Sequence, residues 1–329
     1  MLNGIVNKNN TILSITPISH IKGVKYKLSK IGRVIQLENP KIEDAIKHVQ
    51  YADAIFTNPN KSNVFIGKEL LQHANRLKFI CTASTGINHI DLEFSKKNKI
   101  KIISLTEERR IINKISSTAE LAFALMLCSI RYINEANQSV LKDHWDYLPY
   151  IGKQIDYLKI GIIGYGRLGK LFAKYCYCFD AEIFIYDPYK SVKTKKYKQI
   201  HSLEDFISKC DVISLHVHVT SETTKMINKK ILNKAKNDIL IINTSRGDII
   251  EENDIIEFLI KNKQARIATD VIANEINSKK GNLLIEHAKK SNQILITPHI
   301  GGMTIHAQEI AYNHVAEQLY KAFQDKKLL

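Results

Sequence analysis

Cysteine is scarce in this chain, and the few cysteines argue against disulfide bonds and bound metal. The 329 residues include five, an odd number without the spacing of metal ligands. Cys176 and Cys178 lie within one helical segment, and we interpret them as packing residues. This usage is typical of a reducing compartment, so the sequence predicts a cytoplasmic protein without a metal site.

Long apolar runs are lacking as well. The first ten residues, MLNGIVNKNN, contain no apolar segment of the kind that a secretory signal needs. The most apolar stretch, ELAFALMLCSI, is too short to cross a bilayer. We therefore expect a protein that is not secreted and does not span a membrane.

Charge is present in both signs, but lysine dominates and the net charge is +15. Such a balance can indicate nucleic-acid binding. The lysines are spread along the whole chain, however, and the densest run is residues 190–198. No recognisable nucleic-acid-binding motif accompanies this run. A lysine-rich solvated surface is the preferred interpretation, and it is compatible with an anionic substrate.

The stretch 158–188 carries the clearest motif. It begins with an isoleucine-rich run, typical of a strand buried on both faces. Gly164, Gly166 and Gly169 follow at the G-x-G-x-x-G spacing, and a helical segment comes next. In dinucleotide-binding units these glycines allow a tight turn, a close approach of the backbone to a pyrophosphate, and close packing of helix on strand. The helix N-terminus then offers its N–H groups to the phosphates.

Asp187 follows the second strand of this unit. A carboxylate at this position accepts hydrogen bonds from the adenosine ribose hydroxyls. It would also repel the additional phosphate of NADP, so NAD is the expected cofactor and NADP the less favoured one. The nearby Lys190 weakens that preference.

Short apolar runs alternate with helical segments along the rest of the chain. Five candidate strands lie in the first part of the chain, at 12–15, 34–37, 54–57, 79–82 and 100–105, with helices expected at 42–50 and 64–74. Four more follow Asp187, at 211–216, 238–244, 266–271 and 293–297, which gives six with the two of the glycine-rich unit. A long apolar helix is expected to start with a capping box formed by Ser117 and Glu120. The pattern predicts an α/β protein with a doubly wound parallel sheet and a second, smaller domain.

Chemically active side chains follow the ends of three successive strands. Arg246 and His299 come directly after two of them, and Glu275 lies on the loop after the strand between. In doubly wound sheets ligands bind outside these carboxyl ends. Histidine suits proton transfer near neutral pH, a carboxylate bonded to its ring orients it, and arginine matches a carboxylate. We therefore predict an acid/base histidine, its acidic partner and an anchor for an anionic substrate, with a nicotinamide carrying the hydride.

Together these residues resemble those of the D-isomer-specific 2-hydroxyacid dehydrogenases, a family that includes phosphoglycerate, glycerate and D-lactate dehydrogenases. The motifs that carry the resemblance are STGINHID, SSTAELAFALML, GIIGYGRLGK with YDP, INTSRGDIIEEN, ATDVIANE and TPHIGGMT. The resemblance implies that Arg246, Glu275 and His299 are catalytic, and that Arg246 and His299 also contact the substrate. It implies further substrate contacts at Ser84, Thr85 and Gly86. The implied cofactor contacts are Gly164, Gly166, Arg167, Leu168, Gly169, Asp187, Val217, Thr244, Ser245, Asp270, Gly301 and Gly302, with Asp270 on the carboxamide.

The resemblance also implies the domain arrangement. A smaller flavodoxin-like substrate domain, residues 1–107 plus 301–329, would be interrupted by a Rossmann NAD-binding domain, residues 108–300. Members of the family are usually homodimers, and their site lies in a cleft that closes by hinge motion. The chain departs from the family at His216-Val217-His218-Val219-Thr220, where a proline is common. His218 is either a contact to the adenosine edge of the cofactor or a loop residue, and we favour the loop residue.

Two other functions stay open from the sequence. A non-catalytic, NAD-responsive regulatory protein would use the same fold and could keep the same residues. Formate dehydrogenases share the fold too, but a glutamine replaces the carboxylate beside their histidine, so Glu275 argues against that activity.

Overall fold

The chain forms two compact units, and the first is interrupted by the second. One comprises Met1–Ile115 and Gly302–Leu329, the other Ser116–Gly301. The computed structural model describes residues 9–59, 62, 64–275 and 279–325. The divisions thus fall after Ile115 and Gly301, whereas the sequence placed them after residues 107 and 300.

The described residues contain parallel strands and helices that alternate along the chain. The strands are β1 Asn10–Ser14, β2 Gly32–Gln36, β3 Ala54–Thr57, β4 Phe79–Thr82, β5 Lys101–Ile103, β6 Lys159–Ile163, β7 Glu182–Tyr186, β8 Lys198–Gln199, β9 Val212–Leu215, β10 Leu240–Asn243, β11 Arg266–Thr269 and β12 Ile294–Ile296. The helices are α1 Val24–Ser29, α2 Ile42–Val49, α3 Lys68–Leu71, α4 Leu92–Lys97, α5 Arg109–Ile112, α6 Ser117–Ile130, α7 Ile133–Val140, α8 Arg167–Tyr177, α9 Leu203–Lys209, α10 Lys229–Leu232, α11 Glu252–Lys261, α12 Leu283–Ala288 and α13 Ile305–Gln324. Short 3-10 turns lie at Leu148–Tyr150, Ile155–Tyr157 and Gly247–Ile249.

The first unit is built on a five-stranded parallel sheet in the order β2-β1-β3-β4-β5. This is the flavodoxin-like order. Alternate residues of each strand enter hydrophobic clusters on opposite faces: Ile12 packs with residues of α1 and α13, and Leu13 with residues of α2 and α3. The five strands predicted for this part of the chain are all present. The fully buried strands β3 and β4 are short and mostly apolar because both of their faces are covered, whereas the edge strands β2 and β5 contain the exposed Arg33 and Lys101.

The second unit is built on a seven-stranded parallel sheet in the order β12-β11-β10-β9-β6-β7-β8. This is the doubly wound order, which reverses direction between the neighbouring strands β6 and β9. Ile162 packs with residues of α6 and α8 on one face, and Ile163 with residues of α9, α10 and α11 on the other. The six predicted strands are present, but the predicted count was one short. The seventh, β8, is a two-residue edge strand of Lys198 and Gln199 paired with β7, and its polar residues gave no apolar run to recognise.

The start of α6 differs from the predicted capping box. Ser116, not Ser117, is the N-cap residue, and its Oγ donates a hydrogen bond to the Glu120 carboxylate four residues on. The Ser117 hydroxyl is buried without a hydrogen-bond partner among the described residues. The prediction of a box at Ser117 and Glu120 was therefore wrong, because the N-cap is Ser116 and its side chain accepts no hydrogen bond from the helix backbone.

One stretch among the described residues has the length and apolar composition of a membrane span. Within the 22 residues 109–130, the most apolar 18 consecutive residues have a mean hydropathy of 1.4, whereas the sequence analysis judged the apolar run too short to cross a bilayer. The stretch is divided between α5 and α6, and within the second unit α6 packs against α8 and β10. Buried core helices meet the same length and composition test, so the stretch is weak evidence for a membrane.

A buried histidine in the first unit gives the fold a pH dependence. His89 is 2% exposed, its two ring nitrogens have no hydrogen-bond partner among the described residues, and burial lowers its pKa to about 4. Below the ordinary histidine pKa of about 6.5, the unfolded chain binds a proton that the folded chain does not bind. This residue therefore contributes stability above that pH, and the contribution is lost as the pH falls towards 4.

We expect the free energy of unfolding to depend less on pH in His89→Asn than in the parent protein. The slopes of the free energy of unfolding against pH should differ between the two proteins by about 1 kcal/mol per pH unit between pH 6 and 4.5. Urea unfolding at several pH values measures it. Parallel pH dependence in the two proteins would mean that His89 is protonated in the folded chain.

Candidate functional site

The glycine-rich turn joins β6 to α8 in a conformation that excludes side chains. Gly164 has φ +91°, and a Cβ there would lie 2.6 Å from the carbonyl oxygen of His216. A Cβ on Gly169 would lie 2.1 Å from the carbonyl oxygen of Gly164. The turn therefore packs directly on the backbone of the segment after β9, and the first turn of α8 packs on the backbone of the glycine-rich turn itself.

The N-terminus of α8 has room for a ligand. Gly166 is the N-cap residue, and the nearest group that a Cβ there would meet is the Lys190 ammonium nitrogen at 3.8 Å. Arg167 and Leu168 are the first two residues of the helix, and its first turn contains no acidic residue. The first N–H groups of a helix lack intrahelical acceptors, so this end fits the phosphates of a dinucleotide.

Asp187 connects the two loops that border this helix end. One carboxylate oxygen, Oδ2, accepts a hydrogen bond from the Tyr165 N–H at 2.8 Å, and the other, Oδ1, accepts one from the Tyr189 N–H at 3.0 Å. The residue is 8% exposed. Its carboxylate thus fixes the glycine-rich turn to the segment after β7, a role that the sequence analysis did not assign to it.

Three further residues predicted to contact a cofactor follow β9 and β10. The side chain of Val217 would lie 2.7 Å from a Cβ on Gly164, so it borders the glycine-rich turn. The Ser245 hydroxyl donates to the Leu215 carbonyl at 2.6 Å and so joins the ends of β9 and β10. The Thr244 hydroxyl is buried and makes no hydrogen bond within the described part of the chain.

Arg246 lies at the carboxyl end of β10. Its guanidinium Nη1 donates to the Ser245 carbonyl at 2.6 Å, which limits the orientations of the group. The next residue, Gly247, packs so closely on the loop after β11 that a Cβ would lie 2.0 Å from the Ile272 carbonyl carbon and 2.2 Å from the Ala273 nitrogen. The loop that bears Arg246 is therefore held against the loop that leads to Glu275.

His299 and Glu275 form a direct pair. The imidazole Nδ1 lies 2.7 Å from Oε1 of the carboxylate, and the two side chains are 24% and 20% exposed. An ionised carboxylate only accepts hydrogen bonds, so Nδ1 is the protonated nitrogen. The sequence predicted this pairing, and the structure brings the two residues together from adjacent strand ends.

The turn that carries His299 is held by Asp270. His299 has φ +55°, in the left-handed region that few residues other than glycine adopt, and its N–H donates to the Asp270 carbonyl at 2.9 Å. The Asp270 carboxylate accepts from the Thr297 hydroxyl at 2.6 Å, the Ile300 N–H at 2.8 Å and the Gly301 N–H at 2.8 Å. Burial raises the pKa of Asp270, and these hydrogen bonds oppose that shift. A strained backbone fixed by several bonds is typical of a functional site.

The two glycines after His299 differ in their surroundings. A Cβ on Gly301 would lie 3.1 Å from an Asp270 carboxylate oxygen and 3.2 Å from the Thr118 methyl carbon. Nothing within 4 Å would meet a Cβ on Gly302, which begins the final segment of the first unit. The contacts of both residues to the cofactor stay predictions.

The predicted substrate residues Ser84, Thr85 and Gly86 belong to the first unit, in the loop after β4. The Gly86 N–H donates to the Ser84 hydroxyl at 3.0 Å, and the Thr85 carbonyl accepts from the Thr106 hydroxyl at 3.1 Å. These bonds define the loop conformation. The role of the loop in holding a carboxylate stays a prediction.

Other candidate sites are few in the described part of the chain. It contains no group of three or more His, Cys, Asp or Glu side chains that could hold a metal ion. A surface pocket of about 460 Å³ is lined by Lys153, Gln154, Tyr157, Leu158 and Asp211, none of which the sequence singled out. The strand-end cluster is therefore the site with a recognisable chemistry.

Comparison with known proteins identifies the family. The sequence model described as "D-isomer specific 2-hydroxyacid dehydrogenase, NAD binding domain" matches residues 123–301, more than half of the chain. The chain belongs to the D-isomer-specific 2-hydroxyacid dehydrogenase family. The resemblance inferred from the motifs is confirmed, and the second unit is the nicotinamide-cofactor domain of this family.

Curated relatives of this chain are named for different substrates. The D-3-phosphoglycerate dehydrogenase of Bacillus subtilis is 28% identical over 287 residues, which are 87% of this chain and 52% of that protein. The hydroxypyruvate reductase of Thermotoga maritima is 29% identical over 266 residues, which are 79% of this chain and 82% of that protein. The chain spans about half the length of the curated phosphoglycerate dehydrogenases that it matches.

Solved structures of the family have the same fold. The D-lactate dehydrogenase of Aquifex aeolicus, complexed with NAD and lactic acid, is 25% identical, with a TM-score of 0.78 and 95% of each chain covered. An acyclic imino acid reductase complexed with NADPH and D-Arg has a TM-score of 0.76 at 24% identity and covers 96% of this chain and 98% of its own. The first of these supports a nicotinamide cofactor, and the second is similar in fold alone.

Proposed function

We propose that the chain catalyses the reversible, nicotinamide-dependent reduction of a 2-oxo acid to a D-2-hydroxy acid. The observation that carries the proposal is the 2.7 Å pair of His299 and Glu275 at the carboxyl ends of adjacent strands in the family's cofactor domain. Arg246 lies on the neighbouring strand end. An acid/base group beside an anion-binding group suits a carbonyl that stands next to a carboxylate.

Each of the three side chains has its own task in this proposal. His299 donates a proton from Nε2 to the substrate oxygen during reduction and accepts it in the reverse direction. Glu275 orients the ring through Nδ1 and balances its positive charge. Arg246 binds the substrate carboxylate and polarises the adjacent carbonyl. When bound, the nicotinamide supplies or accepts the hydride.

Asp270 is proposed as the residue that positions His299. Asp270→Asn keeps the shape of the side chain, but its one amide oxygen replaces only one of the two carboxylate oxygens, so either the Ile300 N–H or the Gly301 N–H loses its acceptor. We expect kcat to fall by about tenfold or more, in line with the loss of a charge-assisted bond. Stopped-flow reduction rates measure the change in kcat, and NADH titration measures the affinity for the cofactor. Unchanged kcat would contradict the role of Asp270 in holding the turn.

NAD is proposed as the preferred cofactor over NADP. Asp187 places a nearly buried carboxylate beside the glycine-rich turn, where it would repel a ribose phosphate. Asp187→Ala should narrow the ratio of NADH to NADPH affinity. An unchanged ratio would contradict this assignment.

We propose that the protein is a homodimer joined through the second unit. Along α7 and the segment that follows it, large apolar side chains are unusually exposed: Leu141 70%, Trp145 91%, Tyr147 76% and Tyr157 81%. Exposed apolar patches of this kind typically mark protein interfaces. Sedimentation velocity should find a dimer in the parent protein and a monomer in Trp145→Glu, and a monomeric parent protein would contradict the proposal.

The cytoplasmic location predicted from the cysteines is kept as a proposal. The five cysteines are all free thiols in the structure, which is compatible with a reducing compartment. We further propose that the lysine-rich surface is a solvated face that does not bind nucleic acid, which is compatible with a small anionic substrate. Retention on DNA at physiological salt would contradict it.

A substrate screen tests the proposed activity. Purified protein is incubated with NADH, or with NADPH, and with glyoxylate, hydroxypyruvate, pyruvate, 2-oxoglutarate or phosphohydroxypyruvate, and the loss of absorbance of the reduced cofactor is followed. Turnover with one or more of these acids, and a D-configured product, is expected. Tight NADH binding without turnover would favour the regulatory alternative.

A further inference from the structure

We propose that Lys190 binds the diphosphate of the nicotinamide cofactor and so adds a positive charge to the glycine-rich turn. This inference rests on the nicotinamide-dependent function proposed above. It assigns a cofactor contact to a residue that the family motifs do not cover, because Lys190 follows the YDP motif in the lysine-rich run 190–198.

The Lys190 ammonium group lies beside the glycine-rich turn. The group lies 3.8 Å from where a Cβ on Gly166 would be and 3.5 Å from the carbonyl oxygen of Tyr165. Both atoms belong to the turn that opens α8, whose free N–H groups suit phosphate. A cation at this point reinforces the positive end of the helix dipole on the ligand side.

Hydrogen bonds hold the loop that bears Lys190 in place. Gln199, on the edge strand β8, donates from its amide nitrogen to the Lys190 carbonyl at 2.7 Å and to the Asp187 carbonyl at 3.2 Å. Its amide oxygen accepts from the Val192 N–H at 2.8 Å. The carboxylate of Asp187 bonds the same loop at Tyr189. These bonds fix the backbone from which the lysine side chain extends, so the loop itself need not be ordered when the ammonium group binds a phosphate.

The charges around the glycine-rich turn also favour a lysine contact to the diphosphate. The first turn of α8 contains no acidic residue, and Asp187 is the nearly buried acid that borders the turn. A dinucleotide diphosphate carries two negative charges close to this carboxylate. An exposed lysine beside Gly166 offsets that repulsion without occupying the space of the ligand.

The test compares Lys190→Gln with Lys190→Arg and with the matched control Lys193→Gln, an exposed lysine of the same run. Equilibrium dissociation constants are measured for NADH and NADPH by fluorescence and for ADP and adenosine by calorimetry, at low and at physiological salt. We expect Lys190→Gln to weaken NADH and ADP by about tenfold, the loss typical of one charge-assisted bond. Adenosine binding should not change, and Lys190→Arg and Lys193→Gln should stay within about twofold of the parent protein. The effect should shrink as salt rises, because the contact is exposed.

Each other outcome overturns the inference in a distinguishable way. Equal affinities of Lys190→Gln and the parent protein for NADH would remove Lys190 from the site and leave the proposed function intact. A loss confined to NADPH would place the lysine at the ribose phosphate instead of the diphosphate. An equal loss for adenosine would indicate a distorted loop. Failure of the parent protein to bind NADH would overturn both this inference and the proposed function.

Discussion

His299→Asn is expected to lower kcat by between about a hundredfold and ten-thousandfold, the range typical of losing a general acid/base group. NADH affinity should change by no more than about twofold. Asparagine is chosen because it tolerates the left-handed φ of +55° that the turn imposes on this position. The variant therefore removes the imidazole with little added backbone strain.

The measurements are single-turnover reduction rates and NADH titrations, both made with the 2-oxo acid identified by the screen. His218→Asn is the matched control, because His218 is an exposed loop histidine whose backbone carbonyl accepts a hydrogen bond from Thr223. It should retain nearly full activity. Equal losses of kcat and NADH affinity in His299→Asn would indicate that the histidine is structural.

Arg246→Gln is expected to lower kcat/KM by about a hundredfold or more. The guanidinium, held by its bond to the Ser245 carbonyl, presents its remaining donors as a fork. Losing two charge-assisted bonds to a carboxylate costs about 3 kcal/mol, which is more than a hundredfold in rate. Arg246→Lys should recover part of the loss, because it restores the charge but not the fork.

The substrate carboxylate provides an internal control for this prediction. The methyl ester of the same 2-oxo acid has no charge for Arg246 to bind. The ratio of kcat/KM for acid and ester should therefore fall in Arg246→Gln, while NADH affinity stays constant. An unchanged ratio would mean that the arginine does not recognise the carboxylate.

Most of the fold could be predicted because its strands are buried on both faces. The run that becomes β6 is buried at every position after Lys159, and the alternation of such runs with helices indicates a parallel sheet. The short elements could not be predicted in this way. The edge strand β8 consists of two polar residues, and the predicted helix 64–74 is reduced to the four residues of α3.

The candidate site was predictable in its residue types but not in its supports. The motifs identify Arg246, Glu275 and His299, because chemistry demands those side chains at strand ends. The bonds of Asp270 to the His299 turn, and of Asp187 to the glycine-rich turn and to the segment after β7, depend on backbone groups brought together only in the folded chain. A carboxylate that accepts backbone N–H groups has no sequence pattern of its own.

A crystal structure of the protein with NADH and oxamate, a substrate analogue that is not reduced, is the most direct test of the central claim. The account predicts His299 Nε2 within about 3 Å of the oxamate carbonyl oxygen, with the Arg246 guanidinium on the carboxylate. It also predicts the nicotinamide ring on the opposite side of that carbonyl. Oxamate bound away from the pair of His299 and Glu275, with NADH in place, would contradict it.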